Sequence, residues 1–183
     1  MYRCKVLLQG EEIEFTGKNR SEAEMEMDFY MEELLVEKTP RKKDSFVKRK
    51  ICEDLYLYER EVQAYQRLTG LDICPKLLGH GVVFDYRIKD DPTVYYAYYI
   101  ETELYGSSLE GRYNHNNNPH LDSRALDKRF DFSFYPNSVK EQIKSLVKKM
   151  HEAGVYHGDF HPGNLLIQDG KVKVIDFELV EFS

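Results

Sequence analysis

The sequence predicts an α+β fold. Segments that alternate in polarity, or that are rich in tyrosine and β-branched residues, are typical of strands and occur in both halves of the chain. Between them lie segments whose apolar residues recur at helical spacing. The length of 183 residues is that of one domain, or of one domain divided into two small lobes. A hydrophobic share of 42% is enough to form a core.

The N-terminal part predicts a hairpin followed by an acidic helix. Residues 2–17 alternate as two short strands joined around Gly10. Residues 21–38 have helical periodicity, and Ser21 with Glu24 has the spacing of a capping box, which predicts a helix start at Ser21. The acidic residues of this helix predict a solvated face. Its apolar face is predicted to carry Ala23, Met27, Tyr30, Met31 and Leu34.

A basic turn, a strand and a second helix are predicted next. Residues 39–45 predict the turn and residues 45–52 the strand. The basic residues of this region predict a solvated loop and strand edge more strongly than a nuclear-import or phosphate-binding motif. Residues 53–70 predict a helix that ends at Gly70. Glu61 lies on the largely apolar side of that helix, together with Leu57, Ala64, Tyr65 and Leu68.

The middle of the chain predicts two strands and an irregular segment. Residues 73–88 give a turn and a strand, and residues 93–104 give a strand rich in tyrosine. Residues 111–124 predict a surface loop. His115 and His120 in this loop are conceivable metal ligands, but no neighbouring acid or thiol pattern supports a metal site. The sequence therefore favours a loop without assigned chemistry.

The strongest helical pattern begins at Ser138 and ends at Gly154. Ser138 with Glu141 again matches a capping box. A hairpin follows, in which LLIQ and KVKVIDFEL are joined by an Asp-Gly turn, and it places Asp176 at the end of an apolar strand. The apolar residues that repeat along the helix are Val139, Ile143, Leu146, Val147 and Met150.

The charge and composition of the chain argue against nucleic-acid and membrane partners. The formal net charge of −6 argues against a general nucleic-acid binder, so no nucleic-acid partner is expected. The sequence has no apolar run of membrane-spanning length and its N-terminus does not resemble a signal peptide, so no membrane partner is expected. Cys4, Cys52 and Cys74 lack a paired spacing and predict thiols in a reducing compartment. The expected location is the cytoplasm, with the nucleus as the alternative.

Residues 157–164, HGDFHPGN, concentrate polar chemistry in a segment that cannot be a helix. Asp159 and Asn164 lie in this polar loop, and the following hairpin is predicted to bring Asp176 beside them. Two carboxylates and a carboxamide offer the oxygen ligands that Mg²⁺ prefers alongside substrate phosphates. One of the carboxylates is also suited to accept a proton from an attacking hydroxyl. His161 has no assigned chemistry.

These residues resemble the H-x-D-x-x-x-x-N pattern of the protein-kinase-like superfamily, which is followed by a metal-binding aspartate. In this sequence the pattern is His157, Asp159 and Asn164, and the aspartate is Asp176. The motif HGDFHPGN, followed by IDFE, is most similar to the aminoglycoside phosphotransferase and choline kinase branch, and to small kinase-like proteins related to it.

The resemblance implies a protein-kinase-like fold with two lobes. Residues 1–104 would form a small, β-rich N-terminal lobe with the hinge, and residues 105–183 a reduced helical C-terminal lobe. The sequence stops seven residues after Asp176, before the helices that usually complete that lobe, so the lobe is expected to be truncated. A glycine-rich phosphate loop is not recognisable, since the N-terminal hairpin offers only Gly10 and Gly17.

The resemblance also implies the cofactors, ATP and Mg²⁺, and the roles of the residues. Asp159 would be the catalytic base or would orient the acceptor hydroxyl. Asn164 and Asp176 would hold Mg²⁺ on the ATP phosphates. His157 would support the loop through hydrogen bonds. The sequence is therefore expected to encode an ATP-dependent kinase-like phosphotransferase.

The same resemblance requires a lysine on an earlier strand, which contacts the nucleotide phosphates, and a glutamate on an earlier helix, which holds that lysine. Lys48 fits the strand and Glu61 fits the helix. Lys50 and Glu59 are the second choices.

The adenine and acceptor parts of the site are less defined. The segment from Glu101 to Leu104 is expected to offer backbone groups to adenine. The acceptor is either a serine or threonine hydroxyl of a protein or a small-molecule alcohol, and residues 105–137 or a protein partner would supply the substrate platform. Three alternatives stay open: an active phosphotransferase, a nucleotide-binding pseudokinase that acts as a scaffold or regulator, and a truncated product that folds poorly.

Overall fold

The computed structural model describes residues 1–114 and 118–183, which form two compact units. Strands and helices occur in both, which confirms the predicted α+β fold. The division of the chain into lobes at residues 104 and 105 stays a prediction. The N-terminal unit comprises Met1–Tyr56 and Leu78–Glu101, and the C-terminal unit comprises Leu57–Leu77 and Thr102–Ser183.

A sheet with the strand order β2-β1-β4-β5-β3 forms the framework of the N-terminal unit. β1 and β2 pair antiparallel, and their turn at Gln9 and Gly10 has positive φ at both residues, +50° and +90°. Such a turn follows the twist of the strands that it joins, so the predicted N-terminal hairpin is confirmed. The strands are β1 (Tyr2–Leu8), β2 (Glu11–Gly17), β3 (Ser45–Cys52), β4 (Leu77–Ile88) and β5 (Tyr95–Glu103).

Helix α1 (Arg20–Lys38) contributes an apolar stripe to the core of the N-terminal unit. The prediction of its apolar face is wrong at Tyr30, which is exposed, whereas Leu34 is partly buried and packs against the core. Leu35 is buried instead, since the stripe advances by four residues at each step and stays on one side of the helix. The buried residues are Ala23, Met27, Met31 and Leu35.

The predicted cap of α1 is wrong. Asn19 is the N-cap, and its Oδ1 accepts a hydrogen bond from the backbone N of Glu22 at 3.0 Å. Glu22 Oε2 in turn accepts from the backbone N of Lys18 at 2.8 Å. Asn19 with Glu22 has the same spacing as Ser21 with Glu24, so the sequence contains the capping pattern in two registers. The structure uses the first register, because the extended backbone at Asn19 directs its side chain to the helix start.

The C-terminal unit combines helices with two small sheets, β6-β8-β9 and β10-β7. The predicted hairpin is confirmed, because β8 and β9 pair antiparallel around Asp169 and Gly170, both at positive φ. The pairing of β10 with β7 was not predicted from the sequence. The elements of this unit are α2 (Tyr56–Arg67, whose first residue belongs to the N-terminal unit), β6 (Ser107–Ser108), α3 (Leu109–Tyr113), α4 (Leu126–Arg129), α5 (Asn137–Glu152), β7 (Val155–His157), β8 (Leu165–Gln168), β9 (Lys171–Val174) and β10 (Val180–Phe182).

Helix α5 confirms its predicted apolar stripe but not its predicted start. The expected capping box of Ser138 and Glu141 is wrong, because the helix begins after Pro136, whose carbonyl accepts from the backbone of Val139 and of Lys140. Ser138 therefore lies inside the first turn rather than at the cap. All of the predicted apolar residues, Val139, Ile143, Leu146, Val147 and Met150, are buried.

The cysteines and the helices bear on two expectations from the sequence, a reducing compartment and no membrane partner. Cys4, Cys52 and Cys74 all carry free thiols, and burial raises the pKa of the Cys74 thiol to about 12. Among the helices within residues 1–114 and 118–183, none has the length and apolar character needed to cross a bilayer.

Substitution of Asn19 and of Ser21 tests which of the two residues caps α1. We expect Asn19→Ala to lower the free energy of unfolding by about 1 kcal/mol, because the amide of Glu22 loses its acceptor. Ser21→Ala is the matched control, since Ser21 lies within the helix, and it is expected to change stability by less than about 0.5 kcal/mol. Urea unfolding followed by circular dichroism measures both variants. A larger loss for Ser21→Ala than for Asn19→Ala would contradict the assignment.

Candidate functional site

The polar loop, residues 157–164, begins where β7 ends and closes with a 3₁₀ turn over Pro162–Asn164. β10 pairs with β7, and the backbone N of Gly158 donates to the carbonyl of Leu179 at 3.0 Å. A Cβ atom at Gly158 would lie 2.1 Å from the same carbonyl oxygen. Only glycine therefore allows the loop to leave the strand along this path.

His157 is buried, and both of its ring nitrogens are bonded to the backbone. The backbone N of Asp159 donates to Nδ1 at 3.1 Å, so the ring hydrogen lies on Nε2. Nε2 lies 2.9 Å from the carbonyl oxygen of Ile175 and donates to it. The backbone N of His157 donates to Ser123 Oγ at 2.9 Å. A neutral imidazole thus joins the start of the loop to the segment that follows β9.

The lowered pKa of His157 is consistent with the neutral imidazole that its hydrogen bonds indicate. Burial lowers the pKa of the imidazole, and the hydrogen bond to Ile175 together with the charges of Asp176 and Asp159 opposes that effect only in part. The rings of Phe160 and Phe177 flank the imidazole at centroid distances of 5.8 and 5.3 Å. In this apolar setting the charged form is disfavoured.

Asn164 makes the second link between the loop and the segment after β9. Its Nδ2 donates to the carbonyl of Asp159 at 3.0 Å, which fixes the orientation of the carboxamide because a carbonyl only accepts. The backbone N of Ile175 donates to the carbonyl of Asn164 at 2.9 Å. Both backbone polar groups of Ile175 are therefore bonded to residues of the loop, and Asp176 follows directly. Asp176 has a φ of +65°, an uncommon value for a residue with a side chain.

Two further carboxylates lie near Asp176, one from helix α2 and one from the segment after β9. Glu61 is 2% exposed, and carboxylate oxygens of Glu61, Asp176 and Glu178 lie within 4.8 Å of one another. The buried Tyr65, one turn along the helix, makes a hydrogen bond with the backbone of Asp176, and its ring packs edge-on against Phe177 at 5.0 Å. This acidic cluster supplies oxygen ligands of the kind that Mg²⁺ prefers.

Asp159 lies between two imidazoles. His120 Nδ1 is 2.6 Å from Asp159 Oδ1, and His161 Nε2 is 3.7 Å from Asp159 Oδ2. The two imidazole rings are in contact, with centroids 3.9 Å apart and planes tilted by 31°. Burial lowers the pKa of His161, and the neighbouring His120 lowers it further.

Sequence reasoning missed the proximity of His120 to the polar loop. The backbones of Leu121 and Phe160 bond to each other in both directions, at 3.2 and 2.7 Å, and both side chains are buried. The segment around His120 is thus anchored to the polar loop and is not the plain surface loop that was predicted. Leu121, an apolar residue in a polar stretch, was the available signal for this anchor. His115 lies outside the described residues.

The remaining predicted residues are divided between the two units. Lys48 and Lys50 lie in β3 at half-buried alternate positions, so they share one face of the strand and the choice between them stays open. In α2 the second-choice residue, Glu59, is exposed, whereas Glu61 is buried. The contacts of these residues with a nucleotide stay predictions.

The residues expected at the hinge have contrasting surroundings. Glu101 is buried in β5, and its Oε1 lies 3.3 Å from Lys42 Nζ without the alignment of a hydrogen bond. Leu104 is exposed. Between them, the backbone N of Glu103 already donates to the carbonyl of Lys76 at 2.9 Å. The adenine contact of Glu101 and Leu104 stays a prediction.

The buried His157 predicts a pH dependence of stability. Because its pKa in the folded protein lies below the ordinary imidazole value of about 6.5, the unfolded chain binds a proton that the folded chain does not. The stability that this group contributes is complete above about pH 6.5 and is lost as the pH falls below it. We expect His157→Gln to unfold more readily at neutral pH and to lose less stability than the wild type on acidification. Urea titrations at several pH values measure the difference, and parallel curves would contradict the prediction.

Comparisons with known proteins find similarity in the part of the chain that contains the polar loop. Residues 97–182 match the family described as "Phosphotransferase enzyme family". A segment of 45 residues is 43% identical to the KEOPS complex subunit Bud32 of Pyrococcus abyssi (strain GE5 / Orsay), and the match covers 25% of this chain and 20% of that subunit. The chain thus spans about a fifth of the length of this curated relative. The matched family segment contains the polar loop and Asp176, so the resemblance of this part of the chain to the kinase-like phosphotransferases of the protein-kinase-like superfamily is confirmed.

Proposed function

We propose that the chain is a phosphotransferase that uses ATP and Mg²⁺ to move the γ-phosphate of ATP to a hydroxyl acceptor. The observation that carries the proposal is the bonding of Ile175. Its backbone N and O bond to Asn164 and His157, which sets Asp176 beside the loop that contains Asp159. A general base and oxygen ligands for a cation thereby lie in one small region of the C-terminal unit.

Asp159 acts as the base of the proposed reaction. Its carboxylate takes the proton from the acceptor hydroxyl while the acceptor oxygen bonds to the γ-phosphorus. The bond between that phosphorus and the β–γ bridging oxygen breaks, and ADP leaves. Asn164, through Oδ1, and Asp176 are the residues that would hold Mg²⁺, which supplies charge neutralisation for the phosphate oxygens when bound. Glu61 and Glu178 add negative charge at the same place and so strengthen the attraction for a cation.

The acceptor and the partners belong to the same proposal. The acceptor is a protein serine or threonine or a small-molecule alcohol, and the family description supports phosphoryl transfer without choosing between them. A protein partner that completes the substrate platform is proposed as well, because the curated relative is named as a subunit of a complex. We place the reaction in the cytoplasm, with the nucleus as the alternative.

One observation favours the pseudokinase alternative. Asp159 Oδ1, an oxygen that an acceptor hydroxyl would approach, is already 2.6 Å from His120 Nδ1. A scaffold or regulator that binds nucleotide would not need this oxygen to be accessible. ATP turnover separates the two functions, since a pseudokinase binds Mg-ATP without consuming it.

The role of Asp159 leads to a prediction about turnover. We expect Asp159→Ala to lower the rate of ATP turnover by at least about 100-fold, because the proton of the acceptor loses its base. Binding of Mg-ATP is expected to persist, since the proposed ligands of the cation are unchanged. Asp127→Ala, at an exposed position in α4, is the matched control and should retain wild-type turnover. Equal residual turnover in the wild type and Asp159→Ala would refute catalysis by this residue.

Asp176 leads to a prediction about nucleotide binding. Mg-ATP at 100 times its Kd is expected to stabilise the wild type by about 2.7 kcal/mol in a thermal-shift assay. Asp176→Asn should lose most of this stabilisation, because the carboxylate is removed while asparagine still tolerates a positive φ. Asp169→Asn changes another aspartate at positive φ, in the turn between β8 and β9, and is the matched control. An undiminished shift in Asp176→Asn would count against the proposed cation site.

A further inference from the structure

The carboxylate of Asp159 is held from one side by a residue distant in sequence. His120 Nδ1 approaches Oδ1 to 2.6 Å, a short distance of the kind found when a charged group takes part in a hydrogen bond. A carboxylate only accepts hydrogen bonds, so the hydrogen lies on His120 Nδ1. The other oxygen, Oδ2, is 3.7 Å from His161 Nε2, beyond hydrogen-bonding distance. The two oxygens of Asp159 are therefore in different environments.

The position of His120 is fixed by its neighbours. The two-way backbone bonding of Leu121 and Phe160 sets residue 120 across from residue 161 in an antiparallel bridge. The close contact of the tilted imidazole rings of His120 and His161 follows from this register. Although the side chain of His120 is 67% exposed, its backbone and one ring face are thus held against the polar loop.

The bonding of His161 argues against a metal ion bound by the two histidines and Asp159, although their ligand atoms lie close enough together. The backbone N of Gly163 donates to His161 Nδ1 at 3.2 Å, so the ring hydrogen of neutral His161 lies on Nε2. Nε2 is the atom that faces Asp159, and a nitrogen that carries a hydrogen cannot ligate a metal. The arrangement matches a hydrogen-bonded group better than a metal centre.

We propose that His120 is a positioning residue for Asp159, and that its Nδ1–H holds Oδ1 so that Oδ2 is the oxygen that receives the acceptor proton. The inference rests on the proposed function and adds to it a residue from outside the polar loop. The proposal also explains why Asp159 Oδ1 is in contact with His120. The contact orients the carboxylate and leaves Oδ2 to react. The proton passes from the acceptor oxygen to Oδ2 while the bond from Nδ1 to Oδ1 is kept.

Two substitutions of His120 distinguish the loss of its N–H donor from the loss of its side-chain volume. His120→Ala removes the donor and is expected to lower kcat for ATP turnover, with water as the acceptor, by about tenfold or more at unchanged KM for ATP. His120→Asn keeps an N–H donor at a similar distance from the backbone and is expected to restore kcat to within about threefold of the wild type. His80→Ala, on β4 of the N-terminal unit, is the control for loss of an exposed imidazole. Wild-type kcat in His120→Ala, or equal losses in His120→Ala and His120→Asn, would overturn the proposal.

A second measurement does not depend on turnover. Nitrogen NMR of the imidazoles, at a pH above about 7.5 where a free imidazole is neutral, reports which nitrogen of His120 carries the hydrogen. The Nδ1–H form in the wild type, lost in Asp159→Ala, supports the contact even if the wild type turns over no ATP, in which case only the proposed function fails. The Nε2–H form in the wild type overturns the proposal whatever the turnover.

Discussion

The hydrogen bond from His157 Nε2 to the carbonyl of Ile175 is the contact on which the arrangement of acidic groups depends. It crosses from the buried imidazole at the start of the polar loop to the partly buried residue before Asp176, and an unpaired carbonyl in a fully buried place would cost about 1–3 kcal/mol. The bond from Ile175 N to Asn164 closes the same connection from the other end of the loop. Because both contacts use the backbone of one residue, the loop and the aspartate after β9 form one rigid arrangement rather than two adjustable ones.

This arrangement concentrates negative charge, and the surrounding residues hold it in place. Carboxylate oxygens of Glu61, Asp176 and Glu178 lie within 4.8 Å of one another, a grouping of oxygen ligands that suits a divalent cation. Tyr65 anchors the backbone of Asp176 from α2, and the edge-on contact of its ring with Phe177 keeps the turn packed.

Features set by neighbouring residues were predictable from the sequence, and those set by distant contacts were not. The apolar stripe of α5 and the Asp-Gly turn of the last hairpin follow from local spacing, and both were predicted correctly. The start of α1 was not, because its capping pattern occurs in two registers and only the backbone at Asn19 selects one. His120 was missed as a neighbour of Asp159, since their contact joins residues 39 apart and depends on the bridge at Leu121. Spacing identified the members of the polar loop, but the tertiary structure determines what faces them.

The pairing of β10 with β7 affects when the polar loop can fold during protein synthesis. β7 leads into the polar loop, and its partner strand lies more than twenty residues later in the chain. A nascent chain that has released only the loop therefore lacks both Ile175 and the backbone that receives Gly158. The contacts that β10 and Ile175 make with the start of the loop form only after the ribosome has delivered these later residues, so Asp159 and Asp176 are held in place late in synthesis.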